Sequence, residues 1–139
     1  RNQSEELNMN RVLSSWPYVL FVALCWLSWE LIGVLEFPGM DSAQQKSLFL
    51  TISLFVYPVL LFLAGTALGY RRGYDWVTVL ACLVVFIVCQ VFSSAVKAYP
   101  LSIGDLATFS AYYLIPAHLG IAAGLGIRAV QRRNAQPKE

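Results

Sequence analysis

Apolar positions along this chain gather into four long blocks separated by short polar ones, without the alternation of a half-buried strand or the one-sided stripe of a soluble helix. The first block opens at Trp16, after the polar stretch from Asn8 to Ser15, and stops at Glu36-Phe37-Pro38-Gly39. The second ends at Arg71-Arg72, the third at Lys97 and Tyr99-Pro100, and the fourth at a basic tail. Each block is close to the ~20 residues that cross ~30 Å of hydrocarbon at ~1.5 Å per residue. Open strands in lipid would leave backbone groups unpaired, so helices are the reading that satisfies them. The pattern predicts an all-α integral membrane protein, a single domain over 1–139 built as a four-transmembrane-helix bundle. The spans fall at about 16–36, 47–70, 76–96 and 106–127. The first is too long and too rich in Trp for a cleaved signal peptide and reads as a retained helix.

Punctuation refines the ends. Asp41-Ser42-Ala43-Gln44 has the spacing of a capping box and moves the start of the second helix earlier. Asp75, after the tight turn at Gly73-Tyr74, is the expected cap of the third helix, and Asp105 that of the fourth. Basic residues set the orientation. Arg1, Arg11, Arg71, Arg72, Arg128, Arg132, Arg133 and Lys138 fall on one side, against Lys46 and Lys97 on the other. This asymmetry predicts both termini in the cytoplasm, in a membrane of the bacterial inner (plasma) type. Trp16, Tyr70, Tyr74 and Trp76 form an aromatic belt at the inner ends, with Phe37 and Tyr99 at the outer ends.

Composition narrows the class. Of 139 residues, 58% are hydrophobic and 13% charged, which no soluble fold of this size could bury. The net charge of +2 belongs to residues flanking apolar blocks, so it reads as orientation and not as nucleic-acid binding. The expected partners are the lipid bilayer and either another membrane protein or a second copy of this chain. Cys25, Cys82 and Cys89 lie within apolar blocks and lack C-x-x-C spacing, so they read as packing residues.

Few residues could carry chemistry. Glu30 lies deep in the first span, where an ionised carboxylate costs ~2.5–3.5 kcal/mol unless it is paired, protonated or beside water. His118, two residues after Pro116, is the one histidine. Tyr57 beside Pro58, Gln90, Tyr112 and Tyr113 bring polar groups to the same half of the bundle. Rise arithmetic leaves a Glu30–His118 proton-relay pair within reach. Pro58 and Pro116 each remove a helical donor and can kink their helices. Gly65-x-x-x-Gly69 and Gly120-x-x-x-Gly124 lie on helices running the same way, and predict a close parallel contact. On the fourth helix, Tyr113, Ala117, Gly120 and Gly124 share one side, whereas His118, Ala111 and Ala122 share the opposite one. Two non-lipid faces on one helix call for a further partner. Zinc, haem, P-loop and nucleophile motifs are missing, so neither a metal nor a cofactor nor an enzyme is expected. The leading expectation is an accessory subunit or small oligomer acting through helix–helix association. The alternative is a small proton- or ion-coupled transporter or channel that uses Glu30, with His118.

Overall fold

The structure is a computed structural model that describes residues 2–35, 37–98 and 100–136. Expectations resting on Arg1, Glu36, Tyr99 and Lys138 lie outside the described residues. The described residues are all-helical in architecture, with no strand among them, and four helices are long and apolar enough to cross a membrane. In chain order they are α1 (Gln3–Ser14), α2 (Trp16–Val34), α3 (Ser42–Thr51), a π-helical segment (Ile52–Val56), α4 (Tyr57–Arg72), α5 (Trp76–Val96) and α6 (Ile103–Ala135). The second span is α3, the π segment and α4 in one continuous helix.

Local chemistry sets the ends. α3 begins with the Asp41/Gln44 capping box, in which Asp41 accepts from the Gln44 amide at 2.8 Å. α6 starts three residues before the sequence-based expectation, because Ser102 is its cap and Asp105 is the returning member of the box. Asp75 does precede α5, but its carboxylate accepts from the Thr78 hydroxyl at 2.9 Å and does not cap a backbone amide. α1 is a helix that the apolar blocks did not announce. Glu5 and Glu6 lie in its first turn and Arg11 in its last, which suits the helix dipole. Gly73 ends α4 at φ 79°, the left-handed region that favours glycine.

α4 and α6 run parallel and touch through their backbones. A Cβ added at Gly65 would lie 2.4 Å from the Ala117 carbonyl oxygen, and one at Gly69 would lie 2.4 Å from that of Ile121. Reciprocally, a Cβ at Gly120 would meet the Phe62 oxygen at 2.1 Å, and one at Gly124 the Thr66 oxygen at 2.2 Å. All four glycines are therefore positions where no side chain fits, and the structure places them together at one helix crossing. α2 and α5 form a second parallel pair. Between the pairs lies a buried apolar cluster of Val22, Leu61, Cys82, Phe86, Tyr113 and Ala117.

Both terminal segments meet the α4–α5 turn at one end of the bundle. Arg72 donates to the Ser14 carbonyl, lies 5.7 Å over the Tyr18 ring and pairs with Asp75 at 3.5 Å. Tyr70 donates to Gln131 at 2.7 Å. We call this the tail end, and the opposite end, with the α2–α3 and α5–α6 loops, the far end.

Gly120→Ala should lower thermal stability in detergent by roughly 1–3 kcal/mol, the range for forcing extra volume into a packed contact. Gly126→Ala, where an added Cβ meets nothing within 4 Å, should be neutral or slightly stabilising. Equal behaviour of the two in a thermal unfolding series would remove the backbone contact as the source of stability.

Candidate functional site at the far end

Polar groups converge where α2 approaches α3, the π segment and α5. Glu30 is one turn from the end of α2, and its side chain is only 18% exposed. One carboxylate oxygen accepts from Lys97 Nζ at 2.5 Å, and the other from Ser93 Oγ at 3.2 Å. Lys97 stands just past the last residue of α5 and its side chain is 55% exposed, so its long stem carries the charge back to the acid from the end of the bundle. This meets the requirement that an acid in an apolar span be paired.

Beside it, Trp29 is fixed on three sides. It stacks on Phe49 with ring centroids 5.9 Å apart, meets Phe109 edge-on at 6.3 Å, and donates from Nε1 to Ser53 Oγ at 2.8 Å. Deeper in, Ser28 Oγ donates to the Cys25 carbonyl at 3.0 Å, which uses its one proton. Tyr57, buried at the start of α4, is therefore the donor in the 2.8 Å contact with Ser28 Oγ.

The π segment explains the next contact. The Tyr57 amide bonds the Ile52 carbonyl, five residues back. The following bond in that register would run from residue 58 to the Ser53 carbonyl, but residue 58 is Pro and has no N–H. The Tyr112 hydroxyl of α6 supplies the missing donor to Ser53. Pro58 thus opens a backbone acceptor that a neighbouring helix fills.

Two cavities flank Trp29. One, about 420 Å³, opens at the far end, with Glu30, Lys97, Lys46, Gln45 and Ser42 among its polar lining. The other, about 140 Å³, lies deeper and is almost wholly apolar, between Val22, Trp26, Tyr57, Phe86, Phe109 and Tyr112. Gln90 is buried on α5 and its Nε2 has no hydrogen-bond partner among the described residues; the same holds for Trp26 Nε1 on α2. Tyr113 is buried and stacks on Phe86 at 5.9 Å, as part of the apolar cluster.

His118 belongs elsewhere. It is exposed, its Nδ1 donates to the Leu114 carbonyl at 2.9 Å, and its Nε2 then accepts from Tyr74 of the tail-end turn at 3.3 Å. Glu30 and His118 therefore join different clusters and form no relay pair, because Glu30 bonds Ser93 and Lys97 at the far end while His118 bonds Tyr74 of the tail-end turn. The sequence marks Lys46 and Lys97 only as orientation charges and does not single out Trp29 or Ser53. The signal for Lys97 was its place one turn beyond the depth of a buried acid, which becomes legible only once α2 and α5 are known to run parallel. No known protein family, curated protein or solved structure matches this chain.

Tyr112→Phe should cost roughly 1–3 kcal/mol, the penalty for leaving a part-buried acceptor unpaired. In a Pro58→Ala background, where the amide of residue 58 returns, the same change should cost less than about 1 kcal/mol. A double-mutant cycle by thermal unfolding measures this, and strict additivity would rule out the Pro58–Ser53–Tyr112 account.

Proposed function

We propose that the protein is a non-catalytic polytopic membrane protein that works through helix–helix association, as an accessory subunit of a membrane complex or as a small homo-oligomer. The supporting observation is the two-sidedness of α6. Tyr113, Ala117, Gly120 and Gly124 are buried against this chain, whereas Ala111, His118 and Ala122 on the opposite side are exposed. Two small residues flanking a polar ring form a shallow surface of the kind that membrane helices use to approach one another. In this reading the tail end faces the cytoplasm and the membrane is a bacterial inner membrane, supported by the Arg-rich tail end against the two far-end lysines.

A proton- or ion-coupled transporter or channel has less support. Glu30 is held by Lys97 and Ser93, and the apolar cluster from Val22 to Ala117 fills the bundle between Glu30 and the tail end. In proteoliposomes, Glu30→Gln should leave ion flux unchanged. Loss of a pH-dependent flux in that variant would overturn the association reading.

Ala122→Cys should cross-link under mild oxidation, to itself or to a co-purifying membrane polypeptide, while Leu63→Cys, exposed on α4, should not. Monomeric protein in native membranes with no cross-link at position 122 would remove the proposal. Reporters fused after Gln136 and within Gly73-Tyr74 should both give cytoplasmic signal, and a signal from the other side at either position would overturn the orientation.

A further inference from the structure

The association reading leaves the far end without a role, yet that end combines features that point to one kind of ligand. The open crevice holds Lys46, Lys97 and Glu30, two positive charges against one negative among its described lining residues. Glu30 occupies Lys97, whereas Lys46, exposed on the second turn of α3, meets no carboxylate within ion-pair distance among the described residues. Ser42 and Gln45 add hydrogen-bonding groups on the same helix face region. The rest of the crevice is apolar, with Ile32, Leu35, Phe37, Leu48 and Phe49. A small hydrophilic anion gains nothing from those walls.

Beside the crevice, the second cavity is almost wholly apolar in surface, although Ser53 and Thr108 are among its lining residues, and Trp29 lines both. Its 140 Å³ is close to the size of a dry apolar cavity that admits a benzene-sized group. Trp29 is braced by Phe49, Ser53 and Phe109, so the boundary between polar mouth and apolar floor is built before any ligand arrives. A cationic mouth and an apolar cavity that share Trp29, at one end of helices long and apolar enough to span a membrane, suit the two parts of a phospholipid, an anionic head and an aliphatic tail.

We propose that the far end binds one anionic phospholipid, with its phosphate against Lys46 and Lys97 and a segment of about six tail carbons beside Trp29 in the aromatic cavity. Lys46 supplies the unpaired charge, Lys97 shares its charge between Glu30 and the phosphate, and the cavity between Trp26, Tyr57, Phe109 and Tyr112 selects for a tail. The site is distinct from the exposed α6 face of Ala111, His118 and Ala122, since α6 contributes Thr108, Phe109 and Tyr112 to the cavity and none of those three.

The test is native mass spectrometry on the full chain in detergent, titrated with phosphatidic acid, phosphatidylcholine or diacylglycerol of the same acyl chains. One phosphatidic acid per chain should be retained at least fivefold more tightly than phosphatidylcholine, with diacylglycerol weaker still. Lys46→Gln should weaken phosphatidic acid at least fivefold without changing the lipid-free unfolding temperature, and Lys46→Arg should restore it. Thr108→Phe, which fills the apolar cavity away from the lysines, should also weaken binding, with Cys25→Met as a milder filler if the first variant unfolds. Displacement of the lipid by millimolar inorganic phosphate would show a free-anion site and overturn the proposal. Equal retention of all three lipids, or binding unchanged by Lys46→Gln or by the cavity-filling variant, would show ordinary lipid coating and overturn it as well.

Discussion

The backbone-to-backbone contact between α4 and α6 is the constraint from which the remaining geometry follows. Lipid tails are as apolar as leucine, so helices in a bilayer gain little from hiding apolar side chains from one another. Close packing and hydrogen bonds must hold them instead. Four glycines bring carbonyl oxygens of one helix to where the other's Cβ atoms would stand. Because α4 and α6 run parallel, this contact also aligns Ser53 with Tyr112 and leaves Tyr57 pointing back toward α2. By contrast α2 buries only Val22 fully, and is held mainly by polar bonds near the far end and by Arg72 at the tail end.

Those polar bonds share a logic. Three consecutive side chains of α2 meet polar groups from other elements: Ser28 with Tyr57, Trp29 with Ser53, Glu30 with Ser93 and Lys97. In an apolar surrounding such bonds specify which helix pairs with which and at what height, even where each contributes only about 1 kcal/mol net. The pairing of Glu30 follows from the same need.

Much of this was legible in the chain. Block length and the apolar pattern define four spans, and α5 falls on the expected residues because Asp75 and Lys97 bracket an unbroken run. The glycine spacing marked the helices whose backbones meet. Other features depend on relations that no single segment carries. α1 is polar and buries none of its residues; charges at its ends suit its dipole, and Arg72 ties its last carbonyl to the α4–α5 turn, a contact that the apolar pattern does not show. The start of α6 moved because Ser102 and Asp105 form a reciprocal pair, of which the sequence showed only the acid as a cap. The separation of Glu30 from His118 is largely one of depth, because α6 starts earlier than its acid suggested: Glu30 bonds at the far end, whereas His118 meets Tyr74 of the tail-end turn. Lys97 had to be seen next to α2 before its charge acquired a partner.

The π segment has a geometric effect that reaches well beyond its five residues. In a straight α-helix, positions four apart drift by about 40° around the axis, so from Phe49 to Gly65 the facing direction would wander by about 160°. With Phe49 against Trp29 of α2, Gly65 would then be turned away from Ala117 of α6. The additional residue in the wide turn takes back about 100° of that wander. Phe49, Ser53, Tyr57, Leu61 and Gly65 consequently stay near one azimuth, and a single long helix serves α2 with its upper half and α6 with its lower half. The wide turn acts as a phase correction, and the count of residues between Phe49 and Gly65, more than the identity of those between them, sets whether the two helix pairs share one bundle.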